Sequence, residues 1–189
     1  WQDSGDNLYL LGTTDTELDG SAWAGVIHGH LGGVPPVVDL QREKDLAALL
    51  ASAAHEGLLN AAHDLSDGGL ATAVAEGALR FGVGARIFLD GILERDGVDA
   101  ATALFSESTG RVLVAVPREE DVKFTRLCEG RGYPVLRVGV TDGGASSTGG
   151  ASSAGRDAAL EVQGLFAIPL SELRETFRAP LRERFAATV

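Results

Sequence analysis

Residues 61–70, with the sequence AAHDLSDGGL, place acidic and hydroxyl side chains directly before the start of a predicted helix. The first N–H groups of a helix lack intrahelical partners and attract anions, and two adjacent glycines let a phosphate approach the backbone closely. Carboxylates, together with phosphate oxygens, are the ligands that Mg²⁺ prefers. The candidate ligand-binding residues are His63, Ser66, Asp67, Gly68 and Gly69, and the candidate metal ligand is Asp64.

The same segment also has a purely structural interpretation. Ser66 or Asp67 would cap the helix, and the two glycines would serve the turn. Residue types alone favour this interpretation over ligand binding, because the glycine spacing is not that of a phosphate-binding P-loop.

A second polar segment, FSESTGR at residues 105–111, precedes a run of β-branched residues. Its candidate ligand-binding residues are Glu107, Ser108 and Thr109, whose oxygens suit hydrogen bonding to a polar ligand. The alternative, which residue types again favour, is a polar turn in which Arg111 pairs with Glu107.

Apolar periodicity predicts the elements that position these two segments. Helical stripes of apolar residues occur at 46–54, 70–79 and 173–185, and a shorter helix is predicted at 98–104. Apolar runs predict strands at 8–11, 58–62, 86–89, 112–116, 135–140 and 159–162, the last two paired as a hairpin, and a short element of unassigned type at 23–28. The expected fold class is α+β, with a mixed sheet and packed helices in one domain over residues 1–189. The Gly/Ser-rich tract 142–157 is predicted to be a flexible loop.

Composition excludes several classes of protein. The 189 residues contain 16 Lys+Arg and 27 Asp+Glu, so the net charge of −11 argues against nucleic-acid binding through phosphates. No apolar run is long enough to span a membrane, and the single Cys128 cannot form an internal disulfide, which favours a cytoplasmic location. The chain contains no Met and opens on Trp1, so we expect it to be a piece of a longer polypeptide.

Four motifs occur in an order and spacing that resemble a known family. They are GDNLYLLG at 5–12, ELDGS at 17–21, HDLSDGGL at 63–70 and FSESTGR at 105–111. Together they resemble the C-terminal part of phosphoribosylformylglycinamidine synthase, in its large synthetase subunit. The resemblance covers about residues 5 to 141 and, more loosely, the last helix. It implies a C-terminal domain of the aminoimidazole ribonucleotide synthetase type.

The resemblance implies an ATP-dependent carbon–nitrogen ligase of purine biosynthesis. The family converts formylglycinamide ribonucleotide to formylglycinamidine ribonucleotide with ammonia that a glutaminase releases from glutamine. The implied cofactors are ATP or ADP and Mg²⁺, and the implied partners are the remaining synthetase domains and the glutaminase subunit. The family's catalytic groups lie on other domains, so no catalytic residue is assigned here and the isolated chain is expected to be inactive.

The resemblance also implies roles for single residues. Asp64 matches an Asp that binds Mg²⁺ in the catalytic half of the family's synthetase. Glu107 and Ser108 match residues that contact the substrate there, whereas Thr109 departs from the Gln often found at its position. This chain resembles the other half, whose equivalent pocket is an auxiliary nucleotide site.

Two further hypotheses remain open from the sequence. The domain could be a non-catalytic module that supports the catalytic half by packing. It could also be the matching domain of another ATP-binding relative, such as aminoimidazole ribonucleotide synthetase itself.

Overall fold

A mixed sheet forms the middle layer of the molecule. The computed structural model describes residues 1–142 and 158–186, and within these ranges the sheet has seven strands. The strands are β1 (Asn7–Leu11), β2 (Ala61–Asp64), β3 (Gly84–Ile87), β4 (Val112–Val116), β5 (Val135–Asp142), β6 (Ala159–Val162) and β7 (Phe166–Pro169). Their order across the sheet is β2-β4-β1-β5-β3-β6-β7. Neighbouring strands are antiparallel, except that β3 and β6 are parallel.

Helices cover both faces of this sheet. In the described residues they are α1 (Ala22–His28), α2 (Leu40–His55), α3 (Gly69–Phe81), α4 (Asp90–Asp96), α5 (Ala100–Phe105), α6 (Asp121–Gly130) and α7 (Leu170–Ala186), with a 3₁₀ turn at Arg118–Glu120. Asp39 caps α2 by accepting hydrogen bonds from the N–H groups of Gln41 and Arg42, as its position in the sequence predicts. None of the helices in these ranges is both long and apolar enough to cross a bilayer.

Strand β1 shows how the sheet separates two cores. Successive side chains of a strand point to opposite faces. Leu8 and Leu10 therefore pack in the cluster that contains α3 and α5, whereas Tyr9 and Leu11 pack in the cluster that contains α2 and α6. All five residues of β1 are buried, because helices cover both of its faces.

The α+β prediction is confirmed, but one predicted strand pairing is wrong. The strand at 159–162 does not form a hairpin with the strand at 135–140. Both edges of β5 are hydrogen-bonded to other strands, β1 and β3. Strand β6 therefore pairs with the free edge of β3 and with β7.

The observed limits of two other strands differ by a few residues from the predicted ones. The strand predicted at 58–62 lies at Ala61–Asp64, and the one predicted at 86–89 lies at Gly84–Ile87. Helix α4 was not predicted, because it is only about two turns long and begins after Leu89, which provides no side-chain cap. Of the predicted flexible loop at 142–157, Asp142 ends β5, and residues 143–157 lie outside the described residues.

We expect Gly77→Ala to destabilise the domain. Gly77 lies in the middle of α3, and a Cβ there would overlap the ring of Trp1, which is buried and donates a hydrogen bond from its indole N–H to the carbonyl of Val83. Overpacking of this kind costs about 1–3 kcal/mol. Urea unfolding measures the loss, with Gly130→Ala as the control, because a Cβ at Gly130 meets no atom within 4 Å. An equal effect of the two substitutions would contradict this packing argument.

Candidate functional site

The two polar segments meet because of the register between β2 and β4. These strands are antiparallel, and Asp64 at the end of β2 pairs with Val112 at the start of β4. The turn that follows β2 therefore lies beside the turn that precedes β4. Together they form one wall of a cleft of about 340 Å³, to which Pro36, Glu43 and Leu46 also contribute.

The cleft gathers most of the predicted site residues. Those that line it are Asp64, Ser66, Asp67, Glu107 and Thr109. His63 does not, since it precedes Asp64 in an extended strand and points to the opposite side. It lies in a separate groove, where its Nε2 is 3.0 Å from a carboxylate oxygen of Glu76 and its Nδ1 is 2.7 Å from the carbonyl of Asp64.

The glycine pair has a structural role that the structure shows directly. Gly68 is the N-cap of α3, has φ +78°, and makes no side-chain capping bond, so neither Ser66 nor Asp67 caps the helix as the structural interpretation predicted. Gly69 has φ +60°, and a Cβ there would overlap the carbonyl oxygen of Ser106. The two glycines thus allow a left-handed turn and a close approach between α3 and the 105–111 turn.

Glu107 joins the starts of two helices. Its Oε1 accepts hydrogen bonds from the N–H of Gly68, at 2.7 Å, and from the N–H of Ala22, at 2.8 Å. A carboxylate in this position is favoured by the dipoles of both helices. The sequence predicted that the free N–H groups at this helix start would bind a phosphate. The N–H of Gly68 is not free, because it is bonded to Glu107.

Ser108 and Thr109 also bond to the surrounding backbone. The buried Ser108 hydroxyl accepts from the N–H of Asp15 at 3.0 Å and donates to the carbonyl of Asp15 at 3.2 Å. The Thr109 hydroxyl donates to the carbonyl of Val37 at 2.7 Å. These two residues therefore hold the loops around residues 15 and 37 against the site.

Arg111 does not pair with Glu107 as the turn interpretation predicted. Its buried guanidinium instead donates to the carbonyls of Ser106 and Ser108, at 2.6 and 2.9 Å, and to the hydroxyl of Thr14, at 3.1 Å. Burial lowers the pKa of Arg111 to about 10, so the group stays protonated at neutral pH. This residue fixes the carbonyls on both sides of Glu107 and thereby orients the Glu107 side chain.

Three polar side chains remain directed at solvent in the cleft. Within residues 1–142 and 158–186, the side chains of Ser66 and Asp67 make no hydrogen bond, and the Asp64 side chain is 72% exposed. Asp64 and Asp67 have the hard oxygen donors that Mg²⁺ prefers. No group of three or more His, Cys, Asp or Glu in these ranges could hold a metal ion, so further ligands would have to come from elsewhere.

Arg95 and Asp96 belong to the surroundings of the site and were missed by sequence reasoning. Asp96 accepts a hydrogen bond from the N–H of Thr14 at 2.9 Å, and Arg95 donates to the carbonyl of Gly12 at 2.9 Å. Both residues lie at the end of the missed helix α4, so the sequence carried no signal that would bring them to this loop. Cys128 lies in the opposite core, where burial raises its pKa to about 11 and keeps the thiol protonated.

Comparison with known proteins gives consistent similarities. A family model described as "AIR synthase related protein, C-terminal domain" matches residues 3–151. The phosphoribosylformylglycinamidine synthase subunit PurL of Leifsonia xyli subsp. xyli is 60% identical over 189 residues, which are 100% of this chain and 23% of that protein. The chain thus spans less than a quarter of the length of this relative.

Two solved structures share the fold. T. maritima PurL complexed with FGAR aligns with a TM-score of 0.73 and 19% identity over 91% of this chain and 28% of its own. T. maritima PurL complexed with ATP gives a TM-score of 0.68 and 19% identity over 92% of this chain and 26% of its own. At this identity the similarity concerns the fold alone.

We expect Glu107→Ala to lower the free energy of unfolding, because it leaves two backbone N–H groups at helix starts without their acceptor. The expected loss is about 1–3 kcal/mol. Glu107→Gln keeps an oxygen at the same place and should cost less than half as much. Chemical denaturation of both variants measures the difference, and a Glu107→Ala variant as stable as the parent would refute the linking role.

We expect the contribution of Asp96 to the free energy of unfolding to be lost in acid. Burial opposes ionisation of Asp96, but hydrogen bonds from Arg95 and Thr14 outweigh it and hold the pKa below 3.8. The stabilisation is therefore present above pH 3.8 and is lost as the pH falls through the lower pKa of the folded state. In unfolding curves from pH 6 to pH 3, the advantage of the parent over Asp96→Asn should shrink below pH 4. A constant difference would show that the Asp96 charge contributes nothing.

Proposed function

The chain belongs to the AIR synthase related protein C-terminal domain family, and from this premise we propose that it acts as the C-terminal domain of a phosphoribosylformylglycinamidine synthase. The observation that carries the proposal is the 60% identity to a named synthase subunit over all 189 residues. The whole protein would be an ATP-dependent ligase that uses ammonia to convert formylglycinamide ribonucleotide to its amidine. The partners would be the other synthetase domains and the glutaminase subunit.

Within that protein, the proposed role of this domain is to form one wall of an auxiliary nucleotide site. Asp64 and Asp67 would hold Mg²⁺ together with phosphate oxygens of ATP or ADP, and Ser66 would bind a polar group of the ligand. The chain has a net charge of −11, so binding of a phosphate at its surface is unfavourable without a cation. The metal would neutralise the phosphate charge and thereby permit binding. The carboxylates supply hard oxygen donors, and both face the cleft.

The remaining predicted residues would act by positioning. Glu107 lines the cleft and places the start of α3, and Ser108 and Thr109 hold the loops that border the cleft. Gly68 and Gly69 set the path of the turn that presents Ser66 and Asp67. His63 would contribute indirectly, through its contact with the carbonyl of Asp64.

A second candidate function is a purely structural module. The hydrogen bonds of Glu107, Ser108 and Thr109 to backbone groups favour it, because these residues stabilise the fold without any ligand. Under this candidate, Asp64 and Asp67 would be ordinary surface carboxylates.

Removing the two carboxylates separates these candidates. We expect Asp64→Asn combined with Asp67→Asn, in the full synthetase polypeptide, to weaken binding of Mg²⁺ with ADP by about tenfold or more, because hard carboxylate donors are lost. The melting temperature without nucleotide should stay unchanged, since both side chains are exposed and free of backbone bonds.

Glu129→Gln is the control for this experiment. It removes one exposed carboxylate from α6, which does not line the cleft. Isothermal titration with ADP and Mg²⁺ gives the dissociation constants. Unchanged binding in the double variant would overturn the nucleotide proposal and favour the structural module.

A further inference from the structure

Exposed apolar side chains are concentrated in one stretch of the chain. In the described residues, seven of the twelve large hydrophobic residues that are exposed lie between residues 26 and 40. They form what we call the 26–40 surface: Val26, Ile27, Leu31, Val34, Val37, Val38 and Leu40. Leu31 is 86% exposed and Val26 is 82% exposed. Exposed apolar side chains concentrated in this way mark candidate interaction sites in soluble proteins.

The backbone of the 26–40 surface is held in place although its side chains face solvent. The N–H of Val34 donates to a carboxylate oxygen of Asp19 at 3.2 Å, and the N–H of Val37 donates to Glu17 at 2.7 Å. At the start of α1, the Trp23 ring stacks on Phe105 with the ring centroids 4.3 Å apart. The surface is therefore preformed, which lowers the entropy cost of binding a partner.

The surface adjoins the cleft. Pro36 lines the cleft, and the carbonyl of Val37 accepts the hydrogen bond from Thr109. Glu107, which also lines the cleft, accepts from Ala22 at the start of α1. A partner seated on the 26–40 surface would therefore also lie at the edge of the cleft.

The charge around this surface argues against a second copy of the chain as the partner. Asp19, which bonds to Val34, and Asp39, which lies between Val38 and Leu40, are both exposed, and each copy carries a net charge of −11. Packing two copies face to face would bring these carboxylates together, and like charges at an interface are unfavourable. The complementary partner has an apolar face with basic groups at its rim.

A domain of the same longer polypeptide fits this description. The relative that matches all 189 residues has more than three-quarters of its length outside the match. A tethered domain meets its partner surface at a high effective concentration, so even a modest apolar surface suffices for docking.

We infer that the 26–40 surface is the face on which a neighbouring domain of the longer polypeptide packs, at the edge of the cleft. This inference rests on the proposed function, because it requires the chain to be part of a larger synthetase. The occupant presents apolar side chains to Val26, Leu31 and Val34 and presents basic side chains to the acidic residues around them.

Hydroxyl-radical footprinting of the full synthetase polypeptide tests the inference residue by residue. Val26 and Val37 should be oxidised about tenfold more slowly than Val122, because an interface core excludes water as a protein interior does. Val122 is the matched control, since it has the same side chain and is 58% exposed on α6. Oxidation of Val26 and Val37 at the rate of Val122 or faster would overturn the inference.

A triple variant provides a second readout. Val26→Ser, Leu31→Ser and Val34→Ser together should restore oxidation of Val37 and Val38 in the full polypeptide, whereas Val122→Ser should leave their protection intact. All three replaced side chains are exposed, so folding of this domain does not depend on them. Protection that disappears on dilution together with a halving of the molecular mass would assign the surface to a second copy and refute the inference.

A nucleotide titration on the same sample separates this inference from the proposed function. Protected valines with no binding of ADP and Mg²⁺ would support the docking surface and refute the nucleotide site. Binding of ADP and Mg²⁺ with unprotected valines would support the nucleotide site and refute the docking surface.

Discussion

The Glu107 carboxylate fixes the relative positions of α1, α3 and the turn before β4. One of its oxygens accepts hydrogen bonds from backbone N–H groups at the starts of both helices. A negative charge there is stabilised by two helix dipoles, and the helix starts gain an acceptor that water would otherwise supply. Arg111 holds the carbonyls on either side of Glu107, so the carboxylate cannot turn away without breaking these bonds as well.

This arrangement limits what the cleft can bind. The first N–H of the α3 turn is directed at Glu107, so an anionic ligand does not find the open helix start that the sequence suggested. The groups that remain directed at the cleft are mainly carboxylates, and an anion reaches them favourably through a divalent cation. The proposed Mg²⁺–nucleotide ligand would therefore suit an acidic cleft, because the metal would screen the phosphates from the carboxylates.

The cleft and the 26–40 surface share their supports. Glu107, Thr109 and Glu17 each bond to the segment that carries the exposed apolar residues or to the helix before it. A domain packed on that surface would therefore contact the segment whose position these hydrogen bonds fix, and the same bonds shape the cleft. This gives a physical route by which interdomain contact and ligand binding could influence each other.

The sequence by itself determined what depends on local patterns. Apolar periodicity located most helices and strands, and the position of Asp39 predicted the cap of α2, because caps and periodicity involve residues a few positions apart. The motif resemblance predicted the family. The ligand roles of Asp64, Asp67 and Glu107 stay predictions that the variants can test.

Only the tertiary structure decided which of these groups are available. The β2–β4 register brings Asp64 to the 105–111 turn and turns His63 away from it, and a shift of one residue would exchange the two. The hydrogen bond from Gly68 to Glu107, the one from Arg111 to Thr14 and the pairing of β6 with β3 all join residues far apart in the chain. Such contacts depend on the packing of the whole sheet, and a local pattern of residue types carries no record of them.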